Sequence, residues 1–249
     1  MEKIAVKLPA RNTAAPESSC SFCYDSGYTD SHYCTCRRGL AERRNVYGRR
    51  LSGTGVPARA LGYSLLRIER PRAKFISNYI NSNLDSVILY GDIGTGKTVM
   101  AVGILKALMW RYGLNPWGNV YQAIFITVPE FFRNLELTYK ENLSDGAKER
   151  VKGYVDLFHR AVDADLLILD DIGKEKMSAA RAQDLYTLIN ARYNHLRTTV
   201  VTLNAVVEDV LAEIERHIGG QHGEAISSRL AEMAPVKNRC RLRGKDRRL

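Results

Sequence analysis

Val87-Ile88-Leu89-Tyr90-Gly91-Asp92-Ile93-Gly94-Thr95-Gly96-Lys97-Thr98 is the stretch whose reading decides the fold. Four apolar residues in a row read as a buried strand. The next eight form a complete G-x-x-x-x-G-K-T loop that opens onto a helical pattern. Glycines at 91, 94 and 96 let the backbone curl so that successive N–H groups face a phosphate, and the following helix adds its N-terminal partial positive charge. Lys97 is placed to reach the β and γ phosphates, and Thr98 to offer a hydroxyl to Mg²⁺. The pattern predicts that ATP is held by Gly91, Asp92, Ile93, Gly94, Thr95, Gly96, Lys97, Thr98 and Val99.

About 70 positions later, Leu166-Leu167-Ile168-Leu169-Asp170-Asp171 gives a second apolar strand ending in two carboxylates. Asp170 at the strand end is expected to hold Mg²⁺, directly or through water, with Thr98. Asp171 is expected to orient and deprotonate the attacking water, since phosphoryl transfer depends mainly on positioning and charge stabilisation. Asn204 closes a third strand, Thr198 to Leu203, at the carboxyl edge of the sheet where ligands bind. Two readings stay open for it: contact with the γ phosphate or the attacking water, or a cap for the next helix.

Around these strands the pattern alternates with helices: Arg70 to Ser82, Lys97 to Tyr112, a helix opened by Pro129 with Phe131, Phe132 and Leu135 on its buried face, and Ala179 to His195. Tyr121 to Thr127 reads as a further strand. This alternation predicts an α/β fold, a parallel sheet covered by helices. By composition, residues 1–19 read as a mobile tail, although Ile4, Val6 and Leu8 alternate as a short strand does. Residues 20–50 hold a cysteine cluster and a basic stretch, 51–60 a Gly/Pro-bearing linker, 61–236 the α/β domain, and 237–249 a basic tail.

The chain has 249 residues, 37 Lys and Arg against 27 Asp and Glu, and a net charge of +10. Such an excess points to a polyanionic partner, nucleic acid before membrane, because no Trp-rich amphipathic basic helix stands out. The arginines of the 20–50 stretch and the run Lys237 to Arg248 can contact phosphates or simply be solvated. No apolar run approaches the roughly 20 residues of a membrane span, and the charged start is unlike a signal peptide, so no membrane association and a cytoplasmic location are expected.

Taken together, GDIGTGKT (91–98), LLILDDIG (166–173), TTVVTLN (198–204) and Ile226-Ser227-Ser228-Arg229-Leu230 resemble the AAA+ ATPases of the DnaC/DnaI helicase-loader group, with IstB transposition ATPases as close relatives. The likeness runs over roughly residues 55 to 235. It implies an AAA+ (ASCE) sheet without a C-terminal lid domain, since only 20 residues follow Arg229. It also implies that Asn204 is the sensor-1 residue and Arg229 an arginine finger completing a neighbouring subunit's site. From the same likeness come a replicative hexameric helicase and single-stranded DNA as partners, with self-assembly into a ring or spiral. A transposase helper of the IstB kind is the alternative function. A third reading is an ATP-gated DNA-binding module with negligible turnover.

Cys20-x-x-Cys23 and Cys34-x-Cys36, separated by ten residues, have the spacing of a closed tetrahedral Zn²⁺ site that staples a segment too small to fold alone. Four thiolates leave no open position, so the site is expected to be structural and His32 to lie outside the first shell. The fifth cysteine, Cys240, reads as a bystander. The wording around Cys23 to Arg37 is similar to the zinc-binding N-terminal region of DnaI-like loaders, which implies that this module contacts the helicase.

Overall fold

The computed structural model describes residues 20–21, 26, 33–62, 69–82, 84–112, 121–135, 145–173 and 177–244. The N-terminal tail with Ile4, Val6 and Leu8, together with Cys23, His32 and residues 245–249, lies outside this set.

Among the described residues, five strands build one parallel sheet: β1 (Val87–Gly91), β2 (Ala123–Thr127), β3 (Leu166–Ile172), β4 (Thr198–Asn204) and β5 (Arg239–Leu242), in the spatial order β2-β3-β4-β1-β5. A parallel sheet is covered on both faces, so its strands read as unbroken apolar runs, as β1 and β3 do. Side chains still alternate. Ile88 and Tyr90 enter one core with Leu167, Leu169, Val201 and Leu203, while Val87 and Leu89 enter the other with Leu166, Ile168 and Val200.

The first core lies under α5 (Val128–Leu135), α6 (Asp145–Asp163), α7 (Ala179–Asn194), α8 (Val210–Ile218) and α9 (Gly220–Met233). The second lies under α4 (Lys97–Tyr112), which is covered in turn by α1 (Arg37–Ser52), α2 (Ala58–Leu61) and α3 (Arg70–Tyr79). Being sandwiched, α4 is apolar nearly all round; it buries Met100, Val102, Ile104, Leu105, Leu108 and Met109. That burial is on the order of 10 kcal/mol of gross transfer free energy, far more than its mid-helix Gly103 costs at about 1 kcal/mol. Packing therefore fixes the helix whose first turn carries Lys97.

Two expectations change. Residues 51–60 are no free linker: Leu51, Val56 and Ala60 are buried, and the Phe125 amide donates to the Thr54 carbonyl at 2.7 Å. The Gly/Pro content that suggests a linker here makes a tight bend, with Gly55 at φ 82° against the Phe125 carbonyl. The expected tail after 237 forms β5, with Cys240 paired to Leu89 and Leu242 to Gly91. Only Leu242 of this strand is fully buried, so at the sheet edge the charged residues hide the period of two. The approach is close: a Cβ on Gly91 would stand 2.2 Å from the Leu242 carbonyl oxygen, so glycine here serves the edge strand as well as the loop. Boundaries shift slightly elsewhere. β2 starts at Ala123, α3 gives way to turns at Ile80, α7 ends at Asn194 with His195 as its cap, and β3 runs on to Ile172.

Candidate nucleotide site

The loop after β1 curls as its glycines require: Gly94 and Gly96 have φ of 78° and 88°. Thr95 tightens the turn by donating its hydroxyl to the Asp92 carbonyl at 2.8 Å. The Lys97 ammonium is buried and reaches back to the carbonyls of Gly91 at 2.9 Å and Asp92 at 2.7 Å. The Lys97 charge thus stands at the loop where α4 begins, and with the N-terminus of that helix this is an arrangement suited to a polyphosphate. Ile93, at the tip, is 62% exposed.

The second half of the site comes from an irregularity in β3. Between Leu169 and Ile172 the chain takes three steps while β4 takes two from Val201 to Leu203, so one extra residue is inserted. Leu169 and Ile172 both enter the first core. The two acids between them can therefore both turn toward β4. Asp171 adopts φ 69°, a left-handed conformation that aspartate tolerates better than most side chains.

Hydrogen bonds fix the pair. The Thr98 hydroxyl lies 3.0 and 3.1 Å from the two Asp170 oxygens, and Thr202 donates to Asp170 Oδ1 at 2.7 Å. The same Thr202 oxygen accepts the Asp171 amide at 2.8 Å, and Asn204 Nδ2 donates to Asp171 Oδ1 at 2.5 Å. Burial raises the Asp170 carboxyl above its usual range, opposed by the bonds from Thr202 and Thr98 and by Lys97. A buried carboxylate facing a threonine hydroxyl at the mouth of a phosphate loop is an oxygen donor set that fits Mg²⁺. Asp171 is only half-buried, which leaves it access to water.

Thr98, Asp170, Asp171 and Asn204 thus converge from α4, β3 and β4. Thr202 is the residue that sequence reading passes over. Its signal is the strand period: two positions before Asn204, it must share that residue's face. Nothing in the sequence marks the extra residue in β3.

Arg229, on α9, stands apart from this cluster. Its Nε donates to Asn190 Oδ1 at 2.6 Å and one Nη to the Ala225 carbonyl at 3.1 Å, while the other meets the Tyr186 hydroxyl at 3.3 Å. The guanidinium lies over the Tyr186 and Tyr193 rings at 5.0 and 5.8 Å. It is half-exposed. α7 therefore presents this cation at the surface in a fixed orientation, a property also absent from the sequence motif.

The cysteines gather at the start of α1. The thiols of Cys20, Cys34 and Cys36 lie within 4.8 Å of one another, with Cys20 and Cys34 Sγ 3.6 Å apart. Tetrahedral thiolates around Zn²⁺ stand about 3.8 Å apart, given Zn–S bonds of about 2.3 Å, so the separation fits a metal and excludes a disulfide. Cys36 also caps α1, its sulfur accepting the Gly39 amide at 3.3 Å, so the cluster is tied to the first turn of that helix. α1 is in turn fastened to the far end of α4. The Arg43 guanidinium lies 4.2 Å above the Trp110 ring and donates to its carbonyl at 3.0 Å, and the Tyr47 ring meets Trp110 edge-on.

A parallel sheet in the order β2-β3-β4-β1-β5, with a phosphate loop after β1, paired acids after β3 and a polar residue ending β4, defines the class: a P-loop ATPase of the AAA+ type. Within that class the chain belongs to the IstB-like ATP binding protein family, whose model matches residues 73–221. Solved structures agree on the fold. The DnaC helicase loader superposes with a TM-score of 0.56 at 20% identity, covering 75% of this chain and 98% of the other. DnaI gives 0.57 at 17% identity, with coverage of 80% and 99%. Domain III of the Thermotoga maritima replication initiation protein DnaA gives 0.52 at 14%, with coverage of 74% and 68%. No curated protein sequence matches the chain significantly. No helix among the described residues is long and apolar enough to cross a membrane.

Proposed function

We propose that the protein loads a replicative hexameric helicase onto single-stranded DNA, with ATP binding and hydrolysis switching assembly and release. In this reading Lys97 and the loop amides from Gly91 to Val99 bind the triphosphate, and Thr98 and Asp170 hold Mg²⁺. When bound, that ion would neutralise charge developing on the triphosphate. Asp171 accepts the proton of the attacking water, and Asn204, bonded to Asp171, keeps carboxylate and water in register. Arg229 completes the site of a neighbouring subunit in a ring or spiral, where its charge stabilises the transition state. Cys20, Cys23, Cys34 and Cys36 hold Zn²⁺ and shape the surface that meets the helicase, and the work takes place in the cytoplasm.

The observation that carries this reading is the join between the thiol cluster and the ATPase: the helix capped by Cys36 is fastened through Arg43 and Trp110 to the helix that begins with Lys97. A module so attached can report the state of the nucleotide site to a partner. The fold-level likeness to DnaC and DnaI supports the choice of partner. The test is capture of the replicative helicase by the purified full chain with ATP and with ADP. Nucleotide-dependent capture is expected; no capture in either state would overturn the loader role. The family match favours one other reading, a helper that delivers a transposase to DNA, and ATP-dependent capture of a transposase in place of the helicase would select it.

A further inference from the structure

The charge of this molecule is divided between its two layers. The described residues from 33 to 112, which form α1 to α4 and β1, carry 13 Lys and Arg against 4 Asp and Glu. Those from 121 to 244 carry 14 against 15. Among the described residues the positive excess therefore lies in the segment that forms α1 to α4 and β1. There it points outward: Arg37, Arg38, Arg44 and Arg49 on α1, Arg59 on α2 and Lys74 on α3 are all exposed. Of the two acids on these helices and at their edges, Glu42 lies 3.8 Å from Arg49 and Glu69 3.4 Å from Arg72.

We propose that the outer face of α1, α2 and α3 is a sequence-independent docking surface for the phosphate backbone of nucleic acid. This rests on charge and exposure, not on the loader reading. A helix of 16 residues is about 24 Å long, so the arginines of α1 alone span several phosphates of a linear polyanion. A stable protein interface has an apolar centre depleted of charge, and a membrane-surface helix needs an apolar face. Neither exists here: the large apolar side chains exposed among the described residues are Ile93, Tyr112, Leu196, Val206 and Val236, none of them on α1, α2 or α3. Among the described residues of this face the aromatic rings are already engaged, Tyr47 with Trp110 and Phe75 with Tyr79, so phosphate contacts dominate over base stacking. Contacts restricted to phosphates do not read sequence.

The test measures binding of labelled single-stranded and duplex 20-mers of scrambled sequence between about 50 and 200 mM salt, the window in which phosphate contacts separate most clearly. Replacing Arg37, Arg38, Arg44 and Arg49 by Gln is expected to weaken binding at least tenfold at low salt. It should reduce the slope of log K against log salt by about 3. As the control, Lys148→Gln, Lys152→Gln and Arg160→Gln on α6, which are exposed on the other layer, should leave the slope unchanged. Unaltered thermal melting and ATP hydrolysis in the α1 variant exclude misfolding. An unchanged slope in the α1 variant, or an equal loss in the α6 variant, overturns the proposal. So does retained DNA binding with loss of helicase capture, which would assign the face to a protein.

Discussion

Arg192 is the largest side chain with no exposure to solvent, and its charge meets no carboxylate among its hydrogen-bond partners. Instead it donates to the carbonyls of Ala161 and Val162 in the last turn of α6, to that of Ala164 just beyond it, and to the Thr198 carbonyl and Thr199 hydroxyl at the start of β4. Burial pushes its pKa down to about 9, still high enough to keep it charged at neutral pH. Arg192→Met keeps most of the volume and removes every donor. It should destabilise the protein by about 3 kcal/mol in denaturant unfolding, since several buried acceptors lose their partners. A loss below about 1 kcal/mol would show that water replaces the guanidinium. Such a residue is invisible in sequence, where an arginine in a helix reads as surface. Lys97, Thr98 and the two acids are legible because their chemistry demands fixed spacing. Thr202 is marked only by its strand period relative to Asn204, and the left-handed Asp171 not at all, because one extra residue in a strand leaves no signature.

At the scale of elements, apolar period and turn residues give α4, α5, α7 and the first four strands with small errors at their ends. They fail where charge or small residues mask the period. β5 reads as basic tail because an edge strand needs only one buried face, and the bend at 53–57 reads as linker because its glycines look the same in a loose chain and in a tight turn. α1 reads as part of a small separate module, yet Tyr47 and Leu51 pack on α4 and the core beneath it. That packing makes a prediction about the metal. Purified protein should contain about one zinc per chain, and Cys34→Ser, which removes a buried thiol, should abolish it. Chelation should loosen α1 from α4 and change the emission of Trp110, which now lies under the Arg43 guanidinium. Metal-free protein with a wild-type emission spectrum would remove zinc from the account.

On the scale of the whole molecule, the sheet separates two tasks. One layer carries the basic outer face and the thiol cluster; the other carries Arg229 on its surface. Between them the strand ends hold the loop, Asp170, Asp171 and Asn204 at one carboxyl edge. In the proposed cycle, nucleotide joins one subunit's edge to a neighbour's Arg229, so hydrolysis alters assembly rather than a small substrate. The central claim is that this edge hydrolyses ATP through Asp171, and the most direct measurement is steady-state ATP turnover by Asp171→Asn with nucleotide binding followed in parallel. The substitution is isosteric, and its amide oxygen can still accept from Asn204. The account predicts that binding persists while turnover falls about 10²- to 10⁴-fold, whereas Lys97→Ala loses binding itself. Turnover near the wild-type rate in Asp171→Asn would contradict it.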